Sequence, residues 1–371
     1  MKIIVDKHIP YIKGIVEHYG EVEYLSGNQF TKNAVKDADT LIVRTVVHLG
    51  KDLLEGSRIK LICSATIGFD HIDTSYCQQS GIAWRNAPGC NSGSVMQYIV
   101  SALIVLSQKM NFDLKGKTIG IIGVGNAGTK VAKACHLLGM RVLLNDPPRQ
   151  MEERLDGFVD LERIKKEADI ISFHTPLIKD GEFKTYHMAD TRFFESLERI
   201  PVIINSARGG IIETGAIKKA ITDNKISGTI IDCWENEPNI DVEYMQMVDI
   251  ATPHIAGYSA DGKANASRMS LENLAGFWHF PKGIINEIHI PQVENPTIDL
   301  KGVENQLYYS VLQTYNPLED SEKLTADPAL FSGLRGNYSL RREYEAYRIL
   351  NACEEDLLLL KRLGFMFDES L

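Results

Sequence analysis

Short apolar runs recur along the first 255 residues, and each is followed by a stretch with helical spacing of apolar positions. The runs between residues 118 and 231 do not alternate apolar with polar residues, which is typical of strands covered by helices on both faces. The pattern therefore predicts an α/β fold built on parallel sheets. The predicted strands are residues 3–5, 40–43, 60–64, 118–122, 141–145, 169–173, 202–205 and 229–231.

Long helical patterns separate these regions. One is predicted at residues 91–109, with Asn91 or Ser92 as its N-cap, and another at 259–279. Beyond residue 281 the chain lacks a glycine-rich turn and shows two helical patterns, at 303–315 and 353–363, around short strands. The most apolar helical stretch, 95–106, is shorter than the roughly 18 residues of a membrane span, so no membrane contact is expected.

Length and charge narrow the class of protein. A chain of 371 residues is expected to form two or three domains. Its net charge of −9 argues against a nucleic-acid partner, which favours a basic surface. The six cysteines and ten histidines show no metal-ligand spacing, so we expect reduced thiols and no metal. The N-terminal apolar run is too short for a signal peptide, so a cytoplasmic location is expected.

A dinucleotide-binding fingerprint follows the fourth predicted strand. Gly123, Gly125 and Gly128 match G-x-G-x-x-G, with Asn126 and Ala127 between the last two glycines. The first glycine permits a tight turn, the second lets backbone N–H groups approach a pyrophosphate, and the third allows close helix–strand packing. The N-terminus of the following helix adds partial positive charge. These residues predict a dinucleotide site.

The next strand ends at Asp146, eighteen residues after Gly128. A carboxylate at this position accepts hydrogen bonds from the adenosine ribose hydroxyls and repels a 2′-phosphate, which favours NAD over NADP. Arg149 lies nearby and weakens that preference slightly. NAD is therefore the expected cofactor.

Arg208, Glu237 and His254 follow three later strands, whose carboxyl ends meet at one edge of a parallel sheet. Oxidation of a secondary alcohol needs a base for the hydroxyl proton, and imidazole suits that role near neutral pH. A carboxylate orients the ring, and a guanidinium holds a substrate carboxylate in a planar, bidentate way. Each residue alone has a structural explanation, but together they predict oxidation of a 2-hydroxy acid.

Several motifs together resemble the D-isomer-specific 2-hydroxyacid dehydrogenases over residues 40–280. The resemblance implies a Rossmann-type doubly wound sheet at 93–255, inserted in a flavodoxin-like α/β substrate domain formed by 1–92 and 256–280, with the substrate between the two lobes. The motifs are the fingerprint, His174-Thr-Pro-Leu177, Asn205-x-x-Arg208-Gly, Asp232 with Glu237-Pro, and Thr252-Pro-His254.

A narrower resemblance, to the erythronate-4-phosphate dehydrogenase family, extends over most of the chain. It is carried by Asp146-Pro-Pro-Arg149, by Ala87-Pro-Gly-Cys-Asn91, by His254-Ile-Ala-Gly-Tyr258 and by Leu334-Arg-Gly-Asn-Tyr-Ser-Leu-Arg-Arg342. It implies NAD-dependent oxidation of 4-phospho-D-erythronate to the 2-oxo acid on the route to pyridoxal phosphate. It also implies that 281–371 form a small α+β domain through which two chains make a homodimer.

The same resemblance implies further contacts by position. Thr175, Asp232 and Gly257 are expected to contact NAD, and Thr45, Thr66 and Tyr258 the substrate. The substrate phosphate needs additional positive charge, for which the candidates are Lys7, Arg44, Arg341 and Arg342. Surface salt bridges explain each of these four cations equally well.

Two alternatives stay open at this point. One is a phosphoglycerate dehydrogenase or a hydroxypyruvate-type reductase on the same scaffold. The other is an NAD-sensing, co-repressor-like binding protein in which turnover is negligible.

Overall fold

The computed structural model describes residues 1–154 and 157–368. Its packing divides the chain into two compact units. Unit 1 comprises Met1–Asn91 and Ser259–Gln292, and unit 2 comprises Ser92–Tyr258 and Val293–Leu371.

Strands and helices alternate through most of the described chain. The strands are β1 Lys2–Asp6, β2 Glu21–Leu25, β3 Thr40–Val43, β4 Leu61–Ser64, β5 Ala83–Arg85, β6 Thr118–Ile122, β7 Arg141–Asn145, β8 Ile170–Phe173, β9 Val202–Asn205, β10 Gly228–Ile231, β11 Ile250–Ala251, β12 Thr297–Asp299 and β13 Arg348–Leu350. The α-helices are α1 Lys32–Val35, α2 Lys51–Leu54, α3 Thr74–Gln79, α4 Ser92–Met110, α5 Asn126–Leu137, α6 Pro147–Glu153, α7 Leu161–Glu167, α8 Thr191–Glu195, α9 Thr214–Thr222, α10 Val242–Met247, α11 Ala260–Trp278, α12 Gln306–Thr314, α13 Pro317–Ala326, α14 Phe331–Gly336 and α15 Glu354–Leu363.

Unit 1 is built on a parallel sheet of five strands in the order β2-β1-β3-β4-β5. This is the flavodoxin-like order, so that prediction is confirmed. The central strands β1, β3 and β4 are almost wholly buried, as their apolar runs predict. The edge strands were not predicted: β2 carries Glu21 and Glu23, and β5 has only three residues.

The segment after α11 also belongs to unit 1. Ile285 and Ile288 are buried in the same hydrophobic cluster as Leu271 and Leu274 of α11. Unit 1 therefore extends to residue 292, whereas the sequence suggested a boundary at 280.

Unit 2 is built on a parallel sheet of six strands in the order β7-β6-β8-β9-β10-β11. A single parallel bridge from Leu144 to Phe158 continues it beyond β7. The chain reverses its direction across the sheet between β6 and β8, which is the switch point where doubly wound sheets bind ligands. The predicted Rossmann-type sheet is confirmed.

Helix α4 is the central helix of unit 2. Fifteen of its 19 residues are buried. Among them Gln97 donates hydrogen bonds from Nε2 to Thr314 Oγ1 at 3.1 Å and to the carbonyl of Arg342 at 2.9 Å. These bonds connect the helix to the C-terminal part of the chain.

Within 1–154 and 157–368, no helix has both the length and the apolar character that a bilayer crossing requires.

The C-terminal part from Val293 shares one hydrophobic core with the six-stranded sheet of unit 2. Val311 and Tyr315 lie in the same buried cluster as Ile104 of α4, and Leu360 lies there with Ala134 of α5. This packing differs from the separate domain expected at 281–371, because the segment buries its apolar side chains against unit 2. Its helices and the parallel pair β12–β13 do give it the α+β character that was expected.

A pair of leucines on α15 tests this shared core. Leu360 is fully buried and Leu358 is 52% exposed. We expect Leu360→Ala to lower the free energy of unfolding of the entire unit 2 by about 2–5 kcal/mol, because it leaves a cavity in that core. Leu358→Ala is the matched control and should stay within about 0.5 kcal/mol. Urea unfolding followed by fluorescence and circular dichroism measures both. A separate early transition confined to the C-terminal part would contradict the shared core.

Candidate active site

The loop between β6 and α5 can be built only with glycine at two positions. Gly123 has φ of +88°, and a Cβ there would lie 2.7 Å from the backbone of His174 and Thr175. A Cβ on Gly128 would lie 2.0 Å from the carbonyl oxygen of Gly123. The fingerprint therefore forms the tight turn and close packing that its sequence predicts.

The start of α5 presents unsatisfied backbone donors. Gly125 is its N-cap, and among the described residues no side chain caps it. A Cβ on Gly125 would meet no atom within 4 Å, so a ligand can approach the backbone here. Asn126 and Ala127 form the first turn, whose N–H groups and helix dipole favour an anion. This geometry fits the pyrophosphate of a dinucleotide.

Asp146 folds back on the glycine loop. Its carboxylate accepts hydrogen bonds from the N–H of Val124 at 2.8 Å and of Arg149 at 3.2 Å. The guanidinium of Arg149 contacts the Val124 carbonyl and forms a two-point ion pair with Glu153, at 2.6 and 2.7 Å. Glu153 thus compensates the charge of Arg149, the residue that weakened the sequence argument for NAD.

Two buried hydroxyl groups lie at the ends of neighbouring strands. Thr175 Oγ1, after β8, and Ser206 Oγ, after β9, are buried and have no hydrogen-bond partner among the described residues. Buried polar atoms in native proteins are normally satisfied by protein, water or ligand. The unsatisfied hydroxyl of Thr175 fits its expected role in binding NAD, and Ser206 is a residue that the sequence analysis missed.

Glu237 and His254 form a hydrogen-bonded pair. The distance from His254 Nδ1 to Glu237 Oε2 is 2.7 Å, and Glu237 Oε1 accepts the N–H of Trp234 at 2.8 Å. Burial raises the pKa of Glu237, but the hydrogen bond and charge of His254, the Trp234 N–H and the Arg335 cation outweigh it, so the pKa lies below its ordinary value. Glu237 is therefore ionised at neutral pH and directs Nε2 of His254 away from itself.

The loop that carries His254 is held by the buried carboxylate of Asp232. Oδ1 accepts hydrogen bonds from Thr252 Oγ1 at 2.6 Å and the N–H of Ile255 at 2.8 Å, and Oδ2 accepts the N–H of Ala256 at 2.9 Å. His254 itself has φ of +56°, an uncommon backbone conformation for a residue other than glycine. The observed role of Asp232 is thus to fix this loop; its expected contact with NAD stays a prediction, as does that of Gly257.

The Arg208 loop packs against the loop that leads to Glu237. Asn205 holds it by accepting the N–H of Ala207 at 3.1 Å and donating to the carbonyl of Arg208 at 3.0 Å. A Cβ on Gly209 would lie 1.8 Å from the carbonyl oxygen of Trp234, so the two loops touch through backbone. The structure therefore brings the Arg208 and Glu237 loops together, as the strand-end argument predicted.

The C-terminal part adds two arginines to this region. Arg335 Nη2 donates to the Tyr258 hydroxyl at 3.2 Å, and its Nη1 lies 3.9 Å from Glu237 Oε2. Arg341 Nη2 donates to the carbonyl of Ala256 at 2.6 Å. Arg335 was not among the predicted site residues, because only the folded chain shows that a residue near position 335 reaches one at position 237. Its only signal in the sequence was its place within 334–342.

Thr45 and Thr66 belong to unit 1. Thr66 Oγ1 lies 2.7 Å from Ser64 Oγ and donates to the carbonyl of Gly68 at 3.0 Å. Thr45 is the second residue after β3 and is exposed. Their expected contacts with substrate stay predictions.

Cys233 lies beside the Glu237–His254 pair. Its Sγ and ligand-type atoms of Glu237 and His254 all lie within 4.8 Å of one another. Burial raises the pKa of the Cys233 thiol well above its ordinary value, and the neighbouring carboxylates of Asp232 and Glu237 raise it further. A protonated thiol is a poor metal ligand, so these groups suit acid–base chemistry better. The expected absence of a metal stays a prediction.

Comparison with known proteins defines the class. Residues 101–256 match the family described as "D-isomer specific 2-hydroxyacid dehydrogenase, NAD binding domain". The 3-phosphoglycerate dehydrogenase of Entamoeba histolytica, solved with bound NAD⁺, superposes with a TM-score of 0.64 at 25% identity, over 75% of this chain and 95% of that one. The chain therefore has the fold and NAD-binding domain of the NAD-dependent 2-hydroxyacid dehydrogenases.

Relatives with similarity along nearly the whole chain define the family within that class. The erythronate-4-phosphate dehydrogenase of Bacteroides thetaiotaomicron is 54% identical over 351 residues, which cover 94% of this chain and 99% of that protein. The enzyme of the same name from Bacteroides fragilis is 50% identical over 351 residues, with the same coverage. The chain belongs to the erythronate-4-phosphate dehydrogenase family.

His174 predicts a pH dependence of stability. Burial lowers its pKa to about 4, and Nε2 lies 2.9 Å from Ser172 Oγ. As the pH falls below about 6.5, the unfolded chain binds a proton that the folded chain refuses until about pH 4, so stability is lost across that window. The loss should reach at most about 3 kcal/mol, and less where solvent reaches the ring. Urea unfolding between pH 7 and 4.5 should show a steeper decline for the wild type than for His174→Asn. Parallel pH curves would contradict the assignment.

Proposed function

We propose that this chain catalyses the NAD-dependent oxidation of 4-phospho-D-erythronate to (R)-3-hydroxy-2-oxo-4-phosphooxybutanoate, a step of pyridoxal 5′-phosphate biosynthesis. The observation that carries the proposal is the Glu237–His254 pair, at 2.7 Å, among loops that follow the strands of an NAD-binding sheet. The substrate follows from the relatives, whose similarity includes the C-terminal part of the chain.

His254 acts as the base in this proposal. Its Nδ1 is engaged by Glu237, so Nε2 is the nitrogen that takes the proton of the C2 hydroxyl as the carbonyl forms. Ionised Glu237 stabilises the imidazolium that results and holds the ring in one orientation. When bound, NAD supplies the acceptor for the hydride that leaves C2.

Arg208 holds the substrate carboxylate and polarises the developing carbonyl. Its loop is fixed by the hydrogen bond from Asn205 and by the backbone contact at Gly209, so the backbone from which the guanidinium extends has a defined position. The remaining proposed contacts are Gly123, Gly125, Asn126, Ala127, Gly128, Asp146, Thr175, Asp232 and Gly257 with NAD, and Thr45, Thr66 and Tyr258 with substrate.

The test is turnover with three substrates. We expect reduced nicotinamide to form from 4-phospho-D-erythronate with a kcat/KM at least about 100-fold above those for 3-phosphoglycerate and unphosphorylated D-erythronate. Two charge-assisted contacts of about 1.5 kcal/mol each contribute about 3 kcal/mol, and each 1.4 kcal/mol is about tenfold. A 2-oxo acid acceptor is added in parallel, so that slow release of the cofactor does not hide the reaction. In His254→Ala the rate should fall by about 10²–10⁴, the contribution of general base catalysis.

Other outcomes discriminate the alternatives. A preference for 3-phosphoglycerate would replace the proposed substrate while keeping the dehydrogenase family. NAD binding without turnover of any 2-hydroxy acid would point to the NAD-sensing binding protein. Glu237→Gln is the companion variant: it keeps a hydrogen-bonding group beside His254 but removes the charge, so an unchanged rate would contradict the role of Glu237.

The chain is further proposed to form a homodimer through its C-terminal part. Tyr309, Leu330 and Leu340 in this part are 41–50% exposed, and exposed apolar groups of this size favour an interface. Light scattering should give twice the 41.5 kDa mass of one chain. The double substitution of Leu330 and Leu340 by Glu should shift the mass toward the monomer, whereas Val242→Glu, at an exposed apolar site outside this part, should leave it unchanged. A monomeric wild type would overturn the proposal.

A cytoplasmic location is also part of the proposal. None of the six cysteines, all of which the structure describes, forms a disulfide, and five of them are buried. Free thiols persist in a reducing compartment.

A further inference from the structure

The proposed substrate carries an anionic group at each end. Arg208 accounts for the carboxylate, so a second cation is required for the phosphate. If the proposed function holds, a cation of unit 2 is a candidate for binding this phosphate.

Two arginines named from the sequence are structural. Arg341 is 4% exposed; its guanidinium donates to the Ala256 carbonyl and stacks 4.4 Å above the Tyr315 ring. Arg342 is 7% exposed, and its carbonyl accepts a hydrogen bond from Gln97 of α4. Nε and Nη1 of Arg341 bond to no residue that the structure describes, but both arginines are almost fully buried, so neither presents its charge to a ligand that approaches from solvent.

Arg44 in unit 1 is also committed. Its Nε and Nη2 donate to the buried carboxylate of Asp6 at 2.9 and 3.4 Å. Nδ1 of His8 lies 3.2 Å from Oδ1 of the same carboxylate. The charge of Arg44 is therefore compensated within unit 1.

Arg335 combines partial exposure with a guanidinium that no short ion pair to a described residue compensates. It lies in the last turn of α14, its side chain is 31% exposed, and its Nη2 donates a hydrogen bond to the Tyr258 hydroxyl at 3.2 Å. Nη1 is 3.9 Å from Glu237 Oε2, which is beyond hydrogen-bond reach, and Nε bonds to no residue that the structure describes. The guanidinium also lies 5.6 Å from the centre of the Tyr258 ring. A partly exposed cation with unused donors thus stands next to the catalytic carboxylate.

We propose that Arg335 is the residue of unit 2 that binds the substrate phosphate, together with the Tyr258 hydroxyl. Glu237 Oε2 accepts a hydrogen bond from His254 and also lies near Arg335, so the base and this cation are neighbours. With Arg208 at the carboxylate end, a second arginine at the phosphate end fixes which hydroxyl carbon meets His254. Arg335 would then decide both affinity for the phosphorylated substrate and its orientation.

The nearness of Arg335 to Glu237 also allows a purely positioning role. In that case its removal would slow every 2-hydroxy acid alike and move the pH profile of kcat, since Arg335 is one of the charges that lower the pKa of Glu237. A phosphate-binding role acts on the phosphorylated substrate alone. The two roles are separated by comparing substrates that differ only in the phosphate.

The experiment measures kcat and KM of the full-length enzyme with NAD for 4-phospho-D-erythronate and for D-erythronate. Arg335→Gln should lower kcat/KM for the phosphorylated substrate by about 100-fold, mostly through KM, and that for D-erythronate by less than about threefold. Arg335→Lys should recover about a tenth of the wild-type value, because Lys keeps the charge without the planar pair of donors. Arg362→Gln, which removes the same charge from an exposed position on α15, is the control and should change neither.

Inorganic phosphate gives a second readout that does not depend on turnover of D-erythronate. Phosphate is expected to compete with 4-phospho-D-erythronate for the enzyme. Its inhibition constant should rise at least tenfold in Arg335→Gln and less in Arg335→Lys. If Arg335→Gln does not fold, Arg335→Lys carries the same comparison.

Failure of the inference is distinct from failure of the proposed function. A wild type without preference for the phosphorylated substrate would refute the proposed function. A wild type with that preference, retained in Arg335→Gln, would refute only the role of Arg335. Equal losses for both substrates, with a shifted pH profile and an unchanged phosphate inhibition constant, would likewise overturn it in favour of a positioning role.

Discussion

The buried carboxylate of Asp232 is the group on which the loop that carries His254 depends. It sits at the end of β10, 1% exposed, and accepts three hydrogen bonds from the loop that carries His254. Tyr98 of α4 joins it through Thr252, at 2.8 Å, so the central helix of unit 2 is part of the same network. A carboxylate buried to this extent raises the free energy of the folded state unless it is fully hydrogen-bonded. Here the same hydrogen bonds also fix the backbone of the loop that carries His254.

Asp232 and Glu237 lie five residues apart in the sequence yet differ in role because their surroundings differ. Burial raises the pKa of Asp232, against the opposing effects of the His254 charge and its hydrogen bonds, whereas the pKa of Glu237 is lowered on balance by His254, the Trp234 N–H and Arg335. One carboxylate therefore holds backbone, and the other orients the imidazole of His254. Separate environments for two carboxylates are a general way in which one site assigns distinct tasks.

Sequence reasoning identified the features that a local pattern determines. The fingerprint glycines, the buried strands and the polar residues after β9, β10 and β11 are all readable from neighbours in the chain. The edge strand β2 was missed because its half-exposed residues include Glu21 and Glu23, and apolar periodicity does not detect such a strand. Ser206 and Arg335 were missed for another reason: their surroundings are formed by residues distant in sequence.

The C-terminal part shows why long-range packing changes the functional argument. As a sequence it suggested an appended domain, and its arginines were interchangeable candidates for one charge. In the fold, its apolar residues complete the core of unit 2, which places α14 beside the Glu237 loop and buries Arg341 against Ala256. The same packing buries Arg341, although its Nε and Nη1 bond to no described residue, and leaves the side chain of Arg335 31% exposed. Burial, rather than charge or position in the sequence, is what separates the arginine that supports the loop from the one that can meet a ligand.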